Sequence, residues 1–190
     1  MEELHIMRKH RLTDQSGFTL MEILIVVILL GILAMVVVPQ ITISSEDTKA
    51  STLQSNLGQL RSLLEIYYAQ HNEKYPGEVD DTDGQGPPAN MTAAATAFVK
   101  QLTLYTNADG KTSSTDNILY PLGPYIKSST LPPNPFNNKS GVVADETVTD
   151  LTLRTLAAGD DDYGYKFFVK TGVLIASDDG ETNGVLHENY

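Results

Sequence analysis

Two stretches of this chain hold residues whose types and spacing could do chemistry. The first is Gly17-Phe18-Thr19-Leu20-Met21-Glu22, where one carboxylate stands near the start of an otherwise apolar run. From Phe18 to Val38 the run has 21 residues, and only Thr19, Glu22 and Gly31 are not large apolar residues, Met or Ala. A charge at the centre of a bilayer costs about 2.5–3.5 kcal/mol on insertion scales, and less near the interface. Two readings of Glu22 follow. It is either an interfacial carboxylate that snorkels to water, or an acceptor for a positive charge supplied from outside its own helix. The second stretch is Asp178-Asp179-Gly180-Glu181 with Asn183. Calcium takes about six to eight oxygens, and a Gly-containing acidic loop after a strand can supply them, although the spacing here is not that of an EF-hand. Asp178, Asp179 and Glu181 are therefore the calcium candidates, set against the plainer reading of a solvated acidic loop. Asp160-Asp161-Asp162 reads as a solvated turn.

No catalytic constellation is visible. His5, His10, His71 and His187 are scattered, with no His-Glu-x-x-His, nucleophile elbow or phosphate-binding glycine loop. Each histidine reads as an ordinary surface residue, and Tyr67, Tyr68 and Tyr75 read as packing rather than as a cofactor path. The expectation is a chain that is not an enzyme and needs no cofactor, calcium apart.

The elements that must position these residues follow from periodicity. As a helix, the run 18–38 is roughly 30 Å long, the thickness of a bilayer's hydrocarbon core. Pro39 follows at once, so a kink or local loosening is expected there. Leu53, Leu57, Leu60, Leu64 and Tyr67 then recur at helical spacing, an amphipathic continuation through residues 39–75. Arg61 and Glu65 are placed to pair at i,i+4, worth about 0.3–0.5 kcal/mol. Tyr75-Pro76-Gly77 stops the helix. The rest, 76–190, reads as a soluble head. It holds a solvated Gly/Pro-rich acidic loop (Glu78–Asn90), a short helix over Thr92–Tyr105 and a polar loop over Asn107–Asp116. A hairpin is expected over Tyr163–Ser177, where Tyr163, Tyr165, Phe167 and Val169 alternate before Lys170-Thr171-Gly172 turns the chain. Val142–Leu156 is a further strand candidate. The fold class is α+β: a long Pro-kinked N-terminal helix, its first half membrane-spanning, packed on a small antiparallel sheet.

Charge narrows the partners. The net charge is −11, and residues 1–17 cancel to zero, with Arg8, Lys9 and Arg11 against Glu2, Glu3 and Asp14. The acidity therefore lies beyond Gly17, which excludes nucleic acid as a partner. The basic cluster before the apolar run places that end in the cytoplasm and the head outside. There is no Cys, hence neither a disulfide framework nor a thiolate metal site.

Gly17-Phe18-Thr19-Leu20-Met21-Glu22 followed by an apolar helix resembles the type IV pilin-like family. The resemblance implies a prepilin leader, residues 1–17, cut by a prepilin peptidase between Gly17 and Phe18. It also implies N-methylation of Phe18, storage in the bacterial inner membrane, and polymerisation through 18–38 into a helical homopolymer. Glu22 would then pair with the Phe18 amine of a neighbouring subunit. Tyr67-Tyr68, Asn72, Tyr75-Pro76, the Asn134-Pro135-Phe136 core and Tyr163-Gly164-Tyr165 resemble the major pseudopilins of type II secretion, whose related heads hold calcium near the C-terminus. A periplasmic pseudopilus for protein export follows, with an inner-membrane assembly platform and minor pilins or pseudopilins as partners. The alternatives are an extracellular type IV pilus and, in another class, a membrane-tethered binding module with an uncleaved leader. The leader is long for a pseudopilin, and a start at Met7 would shorten it.

Overall fold

The computed structural model describes residues 17–152 and 155–190, with the backbone alone for 36–44. The expected leader lies outside the described residues up to position 16. The chain divides into two compact units, Met1–Ile43 and Ser44–Tyr190. Helix α1, Leu20–Gln70, contributes to both. In the first unit every described side chain is exposed, including aliphatics from Ile25 at 47% to Leu20 at 85%. Among the described residues no helix is long and apolar enough to cross a membrane. The stretch 18–38 runs past Met35, beyond which side chains lie outside the described residues, as does the kink expected at Pro39.

In the second unit α1 buries the expected stripe: Leu53, Leu57, Leu60, Leu64 and Tyr67 all lie in one apolar cluster. Helix α2, Met91–Thr103, adds Ala94, Phe98 and Leu102 to it, and is capped by Asn90, whose side chain accepts from Ala93 N at 2.9 Å. Strands β1 (Tyr105–Thr106) and β2 (Thr112–Ser113) form a small antiparallel pair. The main sheet has three strands in sequence order: β3 (Val142–Asp145), β4 (Tyr165–Phe168) and β5 (Val173–Ala176). Strands β6 (Glu181–Thr182) and β7 (Val185–Leu186) pair near the C-terminus.

The hairpin β4–β5 is antiparallel as expected, but β3 joins β4 in parallel, so the sheet is mixed. The length of 146–164 permits this, since it suffices for the crossover that a parallel pair requires. At the hairpin turn Gly172 has φ +70°, and a Cβ there would lie 2.2 Å from the Tyr75 ring. The Tyr75 turn thus closes directly over the hairpin, which only a glycine backbone permits. Arg61 reaches across to the sheet, donating to Leu174 O at 2.8 and 3.1 Å and to Tyr190 O at 2.6 Å, while Glu65 accepts from the Tyr75 hydroxyl.

Strand β4 is buried on both faces. Tyr165 and Phe167 point into the core, where burial pushes the Tyr165 phenol up to about 12. On the opposite face Lys166 is buried, its Nζ 2.9 Å from Asp160 Oδ2, 3.6 Å from Asp145 Oδ2 and 3.0 Å from Thr155 O. Asp160 was expected in a solvated turn. It lies instead in a 3₁₀ turn, buried, because residues 155–162 fold back over Lys166. Asp81 likewise departs from the solvated-loop reading, being buried against Lys100 at 2.8 Å.

His71 is buried rather than on the surface where its sequence position suggests it. Its ring stacks on Tyr67 with centroids 3.6 Å apart. Nδ1 lies 2.9 Å from Tyr67 O, which can only accept, so Nδ1 carries the proton and neutral Nε2 accepts from Thr106 Oγ1 at 2.9 Å. Burial pushes this imidazole below its ordinary pKa, against the opposing effect of the bond to Tyr67. In the unfolded chain His71 takes up a proton as pH falls through about 6.5, whereas the buried ring resists it. The unfolded state then binds more protons, so stability is full above that value and declines below it. Thermal melts at about pH 7.5 and pH 5.5 should show a drop that His71→Gln reduces.

Candidate functional site

Gly17, Phe18 and Thr19 precede α1 in non-helical backbone, and Phe18 is 83% exposed. A Cβ added at Gly17 would meet nothing within 4 Å. The Gly17–Phe18 peptide bond is therefore open among the described residues. Helix α1 begins at the next turn for a local reason. Thr19 N and Thr19 Oγ1 both donate to Glu22 Oε2 at 2.8 Å, and Glu22 N donates to Thr19 Oγ1 at 3.2 Å. This is a reciprocal capping box, which satisfies backbone donors that the first turn leaves without helical partners. It was legible as Thr-x-x-Glu before an apolar run, a signal that the reading of Glu22 by its charge alone passed over. The carboxylate also lies in the first turn, where the helix dipole favours a negative charge. Both bonds use Oε2, and an ionised carboxylate has about four lone-pair positions, so capping leaves it able to accept a cation as well.

Asp178 turns inward: its Oδ1 is 2.5 Å from His187 Nδ1 and accepts from Gly180 N at 3.0 Å, while its Oδ2 accepts from Asn134 Nδ2 at 2.5 Å. Asp179 and Glu181 are exposed, Asp179 with φ +49°. Among the described residues no group of three or more His, Cys, Asp or Glu is placed to hold a metal ion.

His187, expected at the surface, is buried. Its Nε2 meets Thr182 Oγ1 at 2.9 Å, and its ring lies 3.9 Å from that of Phe136. Asn134 also donates to Gly164 O and accepts from Phe136 N. The Asn134-Pro135-Phe136 loop is thereby docked on the C-terminal segment through Asp178 and His187. Gln101, which sequence reasoning missed, does similar work: its amide accepts from Gly77 N and donates to Val79 O and Gly110 O, tying two loops to α2. A buried glutamine on an otherwise apolar helix face was the signal.

Residues 12–38 match the prokaryotic N-terminal methylation motif. The chain is 40% identical over 63 residues to type II secretion system core protein G of Pseudomonas aeruginosa, covering 33% of this chain and 44% of that protein. It is 39% identical over 70 residues to the protein of the same name in Aeromonas hydrophila (37% and 46% covered). To that of Klebsiella pneumoniae it is 39% identical over 79 residues (42% and 52% covered). The chain spans about half the length of these relatives. No solved structure matches it. The resemblance to type IV pilin-like chains thus stands on a methylation motif at 12–38 and on similarity to type II secretion system core protein G.

Proposed function

We propose that the chain is a structural subunit of a type II secretion pseudopilus, cut between Gly17 and Phe18 by a prepilin peptidase and N-methylated at Phe18. The observation that carries this reading is the first part of α1, an apolar surface exposed in the single chain and lying within a methylation motif. Such a surface is unstable in water and requires lipid or neighbouring helices. Before assembly the stretch 18–38 spans the inner membrane, with the leader cytoplasmic and the head, 76–190, outside. In the filament it packs against its copies, and Glu22 receives the Phe18 amine of a neighbour. An assembly platform and minor pseudopilins complete the apparatus. The work is mechanical, as growth of the filament through the periplasm moves exported protein.

Intact mass of the native protein tests this reading. Loss of Met1–Gly17 with gain of one methyl group is the expected result. A full-length mass would instead fit a tethered binding head and would sink the proposal.

A further inference from the structure

Beyond β5 the chain has little ladder to hold it. Strands β6 and β7 have two residues each, and an isolated two-stranded hairpin is marginal at best in water. The segment is nevertheless folded back on the head, around His187. The side chains of His187 and Asp178 are each only 2% exposed, with Nδ1 2.5 Å from Oδ1. Because a carboxylate can only accept, Nδ1 carries a proton. Nε2 meets Thr182 Oγ1 at 2.9 Å, and that hydroxyl can donate to a neutral ring or accept from a charged one. The space around the ring is filled. A Cβ at Gly180 would fall 2.7 Å from the ring and from Asp178 Oδ1, and the rings of Phe136 and Tyr190 lie 3.9 and 5.3 Å away. His187 N also donates to Gly180 O at 2.9 Å, which closes the loop on itself.

The resemblance seen in the sequence implies calcium near this end, and the donors can be tested for it. Calcium takes about six to eight oxygens. The loop offers Asp178, Asp179, Glu181 and Asn183. Both Asp178 oxygens are already taken by nitrogen donors, from His187 and Gly180 on one and Asn134 on the other. Asn183 is drawn away to α1, its Nδ2 donating to Asp47 Oδ1 at 3.0 Å. Asp179 and Glu181 are exposed. The group that faces Asp178 is an imidazole, which supplies nitrogen where a hard cation takes oxygen. These residues do not fit a calcium loop. We infer that His187 stands where a cation would, so that the C-terminal segment of this head closes on a latch of Asp178, His187 and Thr182 and needs no calcium. The latch joins the end of β5 to β6 and to the 3₁₀ turn His187–Asn189, and through Asn134 to the loop before β3. A head closed in this way keeps its fold in calcium-poor surroundings. The latch belongs to the folded head and does not depend on filament formation.

Thermal melts of the full chain in detergent, followed by circular dichroism, test both halves of this inference. The unsubstituted chain should melt at the same temperature in excess EGTA and in millimolar calcium. A rise in melting temperature that saturates with added calcium would overturn the claim that the head closes without it. In EGTA, His187→Ala should lower the melting temperature by about 5 °C or more, since it removes a buried ring and strands Asp178. A melt unchanged by His187→Ala would show that the segment is held by something other than the latch. Should His187→Ala fail to fold, Thr182→Val keeps the shape of the side chain and removes only the partner of Nε2. It should lower the melting temperature by about 2–4 °C in EGTA. An unchanged melt for Thr182→Val would likewise overturn the latch.

Discussion

Glu22→Ala should fall out of filaments: in cells that also make the unsubstituted chain, its share of sheared filaments should drop by about tenfold or more. The geometry gives Glu22 two separable tasks. Within its own chain it closes the capping box with Thr19. Between chains, on the proposed reading, it holds the Phe18 amine of a neighbour, a pairing that favours the charged form of both groups. Two further substitutions divide these tasks. Glu22→Gln keeps a capping-box side chain at the third helical position but removes the charge. Thr19→Val removes the hydroxyl of the cap and leaves the charge. If pairing with a neighbour governs incorporation, Glu22→Gln should be excluded nearly as strongly as Glu22→Ala, while Thr19→Val should be affected less. Normal incorporation of Glu22→Gln would mean that Glu22 serves only to start the helix, and the intersubunit pair would have to be abandoned.

Where burial follows from period alone, the sequence could be read directly. The 4-3-4-3 spacing of Leu53 to Tyr67 can put those side chains on only one face of a helix, and that face is in the core. The alternation of Tyr165, Phe167 and Val169 likewise gave the core face of β4 and the hairpin. Hidden from period were contacts between segments distant in the chain. Nothing local distinguishes a parallel β3 from an antiparallel one, because both alternate in the same way. Asp160 and His71 look like surface residues until the elements that cover them are placed. Lys166 carried a partial signal, since a cation amid Tyr, Phe and Phe in a strand must either leave the sheet or be paired. At the N-terminus the motif that carries the processing reading was plain, and the Thr19–Glu22 cap within it was equally legible once Glu22 was considered as part of a helix start.

Lys166→Met should be among the most damaging substitutions in the head, destabilising the protein by about 3–5 kcal/mol, the usual cost of removing one partner of a buried ion pair. The lysine side chain is only 6% exposed, and methionine keeps its length and most of its packing. What changes is the fate of the carboxylates. Asp160 and Asp145, both largely covered, would lose the cation that faces them. Burial pushes the Asp145 carboxyl up, but hydrogen bonds from Thr147 and Val148, together with Lys166, outweigh this and hold it below the ordinary range. By the sign of that shift, Asp145 contributes stability above a pH of about 3.9, and the contribution is lost as acid protonates it in the folded state. Loss of the lysine weakens that contribution too. Denaturant unfolding of the purified chain, followed by circular dichroism, measures the cost. The double variant Lys166→Met/Asp160→Asn makes the measurement specific: neutralising the stranded carboxylate should recover part of the loss, whereas Asp160→Asn alone should destabilise. The asparagine oxygen can still accept from Ala157 N, so the local turn is retained. Additive losses in the double variant would show that Lys166 and Asp160 act independently, and that the segment between β3 and β4 is held over the sheet by packing rather than by this ion pair.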